Sequence, residues 1–404
     1  MIQIKDSSKC CGCSSCSQVC PKQCISFNED TEGFRYPIVD VDLCVDCGLC
    51  EKVCPIIHVD STRLPLQVLA ARNKNEKVLL GSSSGGLFFL VAEYVINHGG
   101  VVFGAKFNEK WEVFHSYTDT INELALFQRS KYVQSIIGNA FSDVKQFLKD
   151  GKIVLFTGTP CQIAALNKFL MKKYDNLITM DFVCHGVPSP MVWRDYLKEI
   201  VSNKIESNNK NTNSNWYHLI SAISFRDKSF GWRRFSLCIT GKENHQTIIK
   251  ECLDENPYMK CFLQNIILRP SCYTCPFKKG KSGADITIAD FWGGEIFHPT
   301  FNDDKGVSLI MLFTEKGKEL LRNLDLEFEF SSYRKAIFCN PAIIRSHHKH
   351  PNRERFYRFY NAQDSVINWM MKCEKLSLFT RFQTSIQNLL DKIKRRLSYY
   401  ASKD

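Results

Sequence analysis

The chain has 404 residues, of which 44% are hydrophobic and 24% charged, and its formal net charge is +11. This composition is ordinary for a soluble globular protein of two or three domains that does not depend on disulfides. The positive charge comes without a nucleic-acid-binding motif, so nucleic acid is excluded as the predicted partner.

The start of the sequence indicates a cytoplasmic protein. Residues 1–6 lack the apolar run of a secretory signal, and 19 cysteines in a chain of this size favour metal or redox sites over disulfides. The longest apolar stretch, residues 87–107, is interrupted by Glu93, His98 and Gly99–Gly100. It therefore predicts a buried helix followed by a strand, and we expect no membrane span.

Residues 1–60 carry two copies of one cysteine motif, with the spacing Cys-x2-Cys-x2-Cys-x3-Cys-Pro. In bacterial ferredoxins with two 4Fe-4S clusters, three cysteines of each copy hold one cluster and the fourth ligates the other. Structural zinc, the alternative, takes four ligands in two pairs and not eight in two interleaved runs. The predicted ligand sets are Cys10, Cys13, Cys16 and Cys54 for one cluster, and Cys44, Cys47, Cys50 and Cys20 for the other.

Two cysteines of this block, Cys11 and Cys24, fall outside the motif spacing. We predict that both are small buried residues. Two clusters in one small module form a short path for electrons, so the chemistry itself is expected further along the chain.

After residue 65 the sequence alternates between predicted strands and helices, which favours an α/β body with a mixed, partly parallel sheet. The predicted strands span residues 67–72, 101–107, 152–156 and 177–183, and the predicted helices span residues 87–97, 140–149 and 160–170. The predicted fold class is thus a multidomain α+β and α/β protein, with a ferredoxin-like module, an α/β body and a helical C-terminal tail.

The remaining segments are polar or basic. Residues 202–215, rich in Asn, Ser and Lys, predict a flexible loop, and residues 386–400 predict a helix that either packs on its own domain or contacts a partner or a membrane surface. Two basic clusters are either solvated surface or a docking site for an acidic electron-transfer partner. They consist of Lys278, Lys279 and Lys281, and of Lys392, Lys394, Arg395 and Arg396.

Five motifs of the body occur in an order that resembles the coenzyme F420 hydrogenase/dehydrogenase beta-subunit family, which includes 7-hydroxymethyl chlorophyll a reductase. They are residues 83–86, 130–133, 158–162, 184–186 and 272–293. With the cysteine block, the resemblance covers roughly residues 1–340. It divides the chain into four parts. Residues 1–60 are a ferredoxin-type domain, residues 65–150 resemble the N-terminal domain of the family, residues 151–340 resemble its C-terminal domain, and residues 341–404 are a basic helical tail.

The resemblance implies an FAD-containing body. The serine- and glycine-rich loop before the predicted helix at 87–97 is the expected site for the pyrophosphate, since a helix N-terminus offers free N–H groups. The flavin contacts implied by the resemblance are Ser83, Ser84, Gly85, Gly86, Ser130, Lys131 and Tyr132.

A third 4Fe-4S cluster in the body is the further implication. Its predicted ligands are Cys161, Cys184, Cys272 and Cys275, unless some of them are buried core thiols; Cys161, at the start of a predicted helix, is expected to have a lowered pKa. His185 is either a proton donor near the flavin or a structural hydrogen-bonding residue. Five other cysteines have no spacing that argues for ligation: Cys238, Cys252, Cys261, Cys339 and Cys373.

The predicted function is that of an iron-sulfur flavoenzyme, an oxidoreductase that takes electrons from a low-potential donor and reduces an organic substrate. That substrate is a deazaflavin such as F420 or another unsaturated or carbonyl compound. The predicted partners are a redox protein, either a ferredoxin-like donor or a partner subunit, and this small molecule. The alternatives are an electron-transfer subunit without a substrate site and a non-catalytic scaffold.

Overall fold

The computed structural model describes residues 1–205, 216–362, 364–375 and residue 393. The predicted loop at 202–215 lies outside this part of the chain except for its first four residues, which are helical and not a loop. The predicted tail helix at 386–400 and the basic cluster at 392–396 lie outside the described residues except for residue 393. The described residues contain no helix with the length and apolar character needed to span a membrane.

The N-terminal module consists of two short helices and a hairpin around the cysteines. Its elements are helices α1 (Ser15–Val19) and α2 (Leu49–Lys52) and strands β1 (Ile25–Glu29) and β2 (Arg35–Val39), which pair antiparallel. Each helix follows a residue in the left-handed conformation, Ser14 with φ 60° and Gly48 with φ 72°. These turns come directly after the second cysteine of each motif and curl the backbone around the position of a cluster.

The body contains an eight-stranded mixed sheet and a separate three-stranded antiparallel sheet. Its strands are β3 (Gln67–Asn73), β4 (Val101–Phe107), β5 (Val113–Thr118), β6 (Val154–Gly158), β7 (Leu177–Phe182), β8 (Ile220–Asp227), β9 (Ser236–Gly241), β10 (Thr247–Cys252), β11 (Ile286–Asp290), β12 (Ser308–Leu312) and β13 (Leu326–Phe330). The large sheet has the order β13-β3-β12-β11-β7-β6-β4-β5, and β8, β9 and β10 form the small one.

Four neighbouring strands at the centre of the large sheet, β4, β6, β7 and β11, run parallel. The strands on either side of this group pair antiparallel. The predicted mixed sheet is confirmed, and the predicted fold class with it. The sheet joins strands from both predicted units of the body, because β3 pairs with β12 and β13.

Helices cover the sheet where the apolar spacing predicts them. The remaining helices are α3 (Glu76–Gly81), α4 (Leu87–Asn97), α5 (Leu124–Phe127), α6 (Ala140–Lys149), α7 (Pro160–Leu170), α8 (Pro190–Ile205), α9 (Pro257–Leu263), α10 (Glu315–Arg322), α11 (Tyr333–Cys339), α12 (Arg353–Arg358) and α13 (Val366–Cys373). The fully buried Val154 and Phe156 of β6 share a core with Phe141 of α6 and with Ile163 and Leu166 of α7.

The first part of the predicted tail packs on the body. Phe356 of α12 and Trp369 and Met370 of α13 are buried in the same core as Trp193 of α8 and Tyr258 of α9. This core covers the small sheet, so residues beyond the family resemblance pack against the body that the resemblance covers.

Candidate redox site

The cysteines of the first predicted cluster lie together in the module. Burial, and then the neighbouring thiols of Cys10, Cys54 and Cys50, raise the pKa of Cys16 to about 12. The amide of Gly12 donates to Cys10 Sγ at 3.4 Å, the kind of N–H···S contact that supports a thiolate. Because the donor set consists only of thiols, it fits an iron-sulfur cluster.

The second predicted ligand set surrounds one small cavity, whose cysteines are Cys20, Cys24, Cys44, Cys47 and Cys50. The four predicted ligands are among them. The fifth, Cys24, is buried as predicted, and its Sγ lies 3.4 Å from that of Cys20. Of these cysteines Cys47 is exposed, so this end of the module reaches the surface.

Cys11 has a different position from the one predicted. It is only half-buried by its neighbours, and its thiol interacts with those of both Cys13 and Cys161. Cys13 itself packs in the core formed by α6 and α7. The first cluster site of the module therefore faces the body, with Cys11 between it and the body cysteines; the motif spacing contains no signal for this contact.

The four predicted body ligands converge. Burial raises the pKa of Cys184 well above its ordinary value, and the neighbouring thiols of Cys272, Cys161 and Cys275 act in the same direction. The pKa of Cys161 is raised by its contact with Cys11 and by burial, so the expectation of a lowered pKa at the start of α7 is wrong for the thiol in this protein. Four half-buried cysteines without another ligand type fit a third iron-sulfur cluster.

Lys278 lies beside this group. Its Nζ donates to the carbonyl of Cys184 at 2.8 Å, and its side chain is half-buried. The two alternatives for its basic cluster, solvated surface or a docking site, stay predictions. The charge of Lys278 acts on Cys184 and on Cys275 and favours their thiolate forms. A cation beside four thiolates offsets part of the negative charge of a cluster there.

Arg269 holds the module against the body. Its side chain is fully buried, and it donates to the carbonyl of Cys10 at 2.9 Å, to Gln134 Oε1 at 3.0 Å and to the carbonyl of Arg35 at 3.0 Å. A Cβ on Gly12 would lie 2.9 Å from Arg269 Nη1, and Gly12 has φ +69°. Only glycine fits this close approach without strain.

A large cavity opens at the carboxyl ends of the parallel strands. Its volume is about 1450 Å³, and its lining includes Gly158 at the end of β6, Cys184 and His185 after β7, and Asp290 at the end of β11. Ligands bind at this edge in open α/β sheets. Cys184 lines the cavity while Cys161, Cys272 and Cys275 do not, so the Cys184 turn lies between the predicted third cluster site and the cavity.

Most of the residues predicted as flavin contacts reach this cavity: Ser83, Ser84, Gly86, Ser130, Lys131 and Tyr132 line it. Two of the loops that carry them are tied together, because the amide of Ser130 donates to Ser83 Oγ at 2.8 Å. Gly85 packs on the sheet instead: a Cβ there would lie 2.5 Å from the carbonyl of Ala71. Within this loop, Ser83, Ser84 and Gly86 line the cavity, and Gly85 packs closely against β3.

Lys131 has its ammonium turned to the backbone. Its Nζ donates to the carbonyls of Leu126 at 3.0 Å and Gln128 at 2.7 Å, at the end of helix α5. Burial, with a smaller effect of Arg129, lowers its pKa to about 7. In the structure Lys131 therefore fixes the loop that carries Ser130 and Tyr132.

Arg226, on strand β8 of the small sheet, is the residue that sequence reasoning missed. It is buried and donates to both carboxylate oxygens of Asp290, at 2.7 Å and 3.2 Å, to the hydroxyl of Tyr132 at 3.2 Å and to the carbonyl of Ser83 at 2.9 Å. The guanidinium of Arg226 thus joins the three family motifs at residues 83–86, 130–133 and 272–293. No motif surrounds Arg226 in the sequence, so only the fold reveals it.

His185 faces a second histidine that the sequence did not single out. The rings of His185 and His347 lie 3.9 Å apart, and both residues line the cavity. Burial lowers the pKa of His185 to about 4 and that of His347 to about 3, so both imidazoles are neutral near pH 7. In the described part of the chain, neither Nε2 atom has a hydrogen-bond partner.

The cavity offers several buried polar atoms to a ligand. In addition to the two histidines, Arg226 Nε, His350 Nε2 and His115 Nδ1 lack a partner among the described residues, and all three residues line the cavity. Buried polar atoms are usually paired, so these positions indicate that a polar ligand belongs here. The cationic lining residues are Arg129, Lys131, Arg226, Arg233, Lys260, Arg345, Lys349 and Lys375, and the acidic ones are Asp181, Asp290 and Glu374.

This lining fits a phosphate-bearing dinucleotide. The volume exceeds the range of about 300–1,000 Å³ of ordinary ligand pockets, which leaves room for a substrate beside a cofactor. The cavity also adjoins the start of helix α4, whose first residue follows Gly86 with φ 79° and which has no side-chain cap. Free N–H groups at a helix N-terminus suit a pyrophosphate.

Comparison with known protein families agrees with these features. Residues 151–333 match the family described as coenzyme F420 hydrogenase/dehydrogenase, the C terminus of the beta subunit, and residues 9–56 match the 4Fe-4S dicluster domain. A chain of the F420-reducing [NiFe] hydrogenase complex from Methanosarcina barkeri is similar in structure, with 14% identity, a TM-score of 0.43 and coverage of 77% of this chain and 91% of that chain. No curated protein matches this sequence.

The two sequence matches establish the chemistry at a coarse level. The predicted resemblance is confirmed, and with it the presence of iron-sulfur clusters and a role in redox electron transfer. The individual ligands, the flavin contacts and the domain boundaries predicted from the sequence stay predictions.

Proposed function

We propose that this chain, which belongs over residues 151–333 to the coenzyme F420 hydrogenase/dehydrogenase beta-subunit family and over residues 9–56 to the 4Fe-4S dicluster domains, is an iron-sulfur flavoenzyme that reduces an organic substrate. The observation that carries the proposal is a single cavity that joins the 82–86 loop to the Cys184–His185 turn. Electrons enter from a low-potential donor through the module and the body cysteines, and the cavity holds FAD and the substrate.

The proposed flavin-binding residues offer the cofactor backbone N–H groups, positive charge and an aromatic wall. The start of helix α4 and the 82–86 loop offer backbone N–H groups, and Arg129 brings positive charge to the same wall, where the charge of Arg226 is paired with Asp290. Arg226 also fixes Tyr132, whose ring stacks on Phe262 at 4.6 Å and closes one side of the cavity. FAD bound there would couple one-electron traffic from clusters to two-electron hydride chemistry.

His185 and His347 form the proposed hydrogen-bonding end of the cavity. Each is a neutral imidazole whose buried Nε2 has no partner among the described residues, so each can donate a hydrogen bond from Nε2 to a substrate oxygen in the tautomer that carries the proton there. The two rings are in close contact and tilted by 31°, so each limits the orientation of the other. This arrangement favours a substrate with a carbonyl or other polar unsaturated group.

The second candidate function is an electron-transfer subunit without its own substrate site. The cationic cavity and its unpartnered polar atoms favour the enzyme, because a subunit that only conducts electrons has no need of space beyond a cofactor. Turnover by the isolated chain with an artificial donor separates the two candidates.

The test of the proposed function is the content of iron, acid-labile sulfide and flavin per chain after anaerobic purification. One FAD with about twelve irons is expected, and one FAD with about eight irons would leave only the clusters of the module. Reconstitution with iron, sulfide and FAD serves as the control for loss during purification. If FAD does not bind even after reconstitution, the flavoenzyme proposal is wrong and the electron-transfer function replaces it.

A further inference from the structure

The module exposes apolar side chains beside its second cluster site. Val41, Leu43 and Val45 are 63%, 56% and 58% exposed, and they flank Cys44 and the exposed Cys47. Large apolar residues that cluster on the surface of a soluble domain commonly mark an interaction site. We refer to residues 40–47 as the entry surface.

The entry surface is acidic although the chain as a whole is basic. Residues 40–51 contain Asp40, Asp42, Asp46 and Glu51 and neither Lys nor Arg, and the cations that line the cavity beside them are Lys22 and the N-terminal residue Met1. The amino group of Met1 pairs with Asp46 at 2.9 Å and Glu51 at 3.2 Å. Asp40 and Asp42 form no ion pair within the part of the chain that the structure describes, and a 4Fe-4S cluster with four thiolates adds a further charge of about −2.

The other end of the module is already in contact with the body. Cys11 and Cys13 face Cys161 and the core of α6 and α7, and Arg269 closes the junction. A protein that exchanges electrons with the module therefore approaches the second cluster site, where Cys47 reaches the surface.

We propose that the entry surface is the docking site of a one-electron redox protein whose cofactor edge is apolar and ringed by Lys and Arg residues. An apolar centre excludes water from the contact, and opposite charges around it steer the encounter. The exchange moves one electron between the partner's redox centre and the nearest cluster, and no bond forms or breaks. An acidic ferredoxin is disfavoured at this surface by like charge.

The test uses cytochrome c, a basic protein with an exposed haem edge, as the probe. We expect the reconstituted full chain to bind oxidised cytochrome c at an ionic strength of about 0.01 M, where charge interactions reach furthest. Asp42→Lys should weaken this binding about five- to tenfold, and the difference should shrink at about 0.5 M salt because the ions screen it. Val45→Ser should weaken it at both ionic strengths. The dissociation constants are measured by calorimetry with both proteins oxidised, so no turnover is needed.

Matched variants elsewhere on the chain serve as controls. Glu319→Lys changes an exposed acid on α10 by the same charge, and Leu126→Ser removes an apolar side chain that is 53% exposed. Neither should change the affinity, and all four variants should keep the iron content of the parent chain. The electron-transfer rate from the dithionite-reduced chain to cytochrome c should follow the same order.

Three results would overturn the docking proposal. They are unchanged affinity in both entry-surface variants, an equal loss in Glu319→Lys, and a homodimer in sedimentation that Val45→Ser dissociates while the affinity for cytochrome c is unchanged. The proposal depends on the clusters of the module and not on FAD. A chain that binds no FAD even after reconstitution but still shows the Asp42 effect would refute the flavoenzyme and support the docking site.

Discussion

The two cysteine sites of this protein are built in opposite ways. In the module, the eight predicted ligands lie within residues 10–54, and short turns at Ser14 and Gly48 curl the backbone around the two predicted cluster positions. In the body, four cysteines come from three segments between residues 161 and 275, and the parallel strands β6 and β7 bring the first two together. Local spacing thus determines the first site, while the second exists only when the sheet has formed.

The largest expected effect is the selective loss of one cluster from the body site. Cys272→Ser should lower the iron content from about twelve to about eight per chain, because this thiol lies among Cys161, Cys184 and Cys275. The module should keep its two clusters, since it does not depend on Cys272. Iron and sulfide analysis, with electron paramagnetic resonance of the reduced protein, measures the change.

Cys238→Ser is the matched control for this variant. Cys238 is a half-buried cysteine on strand β9 without a predicted ligand role. It should leave the iron content unchanged. A chain with Cys272→Ser that retains all of its iron would show that the body site is a group of core thiols, and the contrast between the two sites would disappear.

The second prediction concerns the junction at which the two sites meet. Arg269→Ala should lower the free energy of unfolding by about 2–4 kcal/mol, because it leaves the carbonyls of Cys10 and Arg35 without their donors. Arg269→Lys should recover only part of the loss, since an ammonium cannot make the three directed hydrogen bonds of the guanidinium. Chemical denaturation under anaerobic conditions measures the difference.

An exposed arginine provides the reference for this measurement. Arg322, at the end of helix α10, is exposed, and Arg322→Ala should change the stability by less than about 0.5 kcal/mol. An equal effect of the two substitutions would mean that the module and the body are joined by contacts other than Arg269.

The sequence predicted those parts of the protein that local pattern determines. Helices α4, α6 and α7 and strand β4 have the predicted bounds, since apolar spacing and the glycines after α4 are local signals. Beyond these elements, strand β3 was predicted without its pairing to β12 and β13, because register depends on residues more than 200 positions away. The small sheet was not predicted at all.

The candidate site follows the same division. Cysteine spacing and the 82–86 loop could both be recognised in the sequence, and the loop lines the cavity beside the Cys184–His185 turn. Arg226 and His347 could not be recognised in the sequence, because each lies in a segment without a motif. Their contacts are with residues distant in sequence. The contact of Cys11 with Cys161 was missed for the same reason.

The smallest expected effect tests whether the two cavity loops act as a unit. Ser83→Ala removes the oxygen that accepts from the amide of Ser130 at 2.8 Å and from its hydroxyl at 3.2 Å. Losing this contact should cost about 1 kcal/mol, which corresponds to about fivefold weaker binding of FAD, because the loops are then less ordered before the ligand arrives. Quenching of flavin fluorescence measures the dissociation constant, and Ser26→Ala, at an exposed position of β1, should leave it unchanged. A fall in thermal stability with unchanged FAD affinity would mean that the contact between Ser83 and Ser130 stabilises the fold but does not affect FAD binding. Long-range contacts of this kind would then form the cavity without changing its affinity for the ligand.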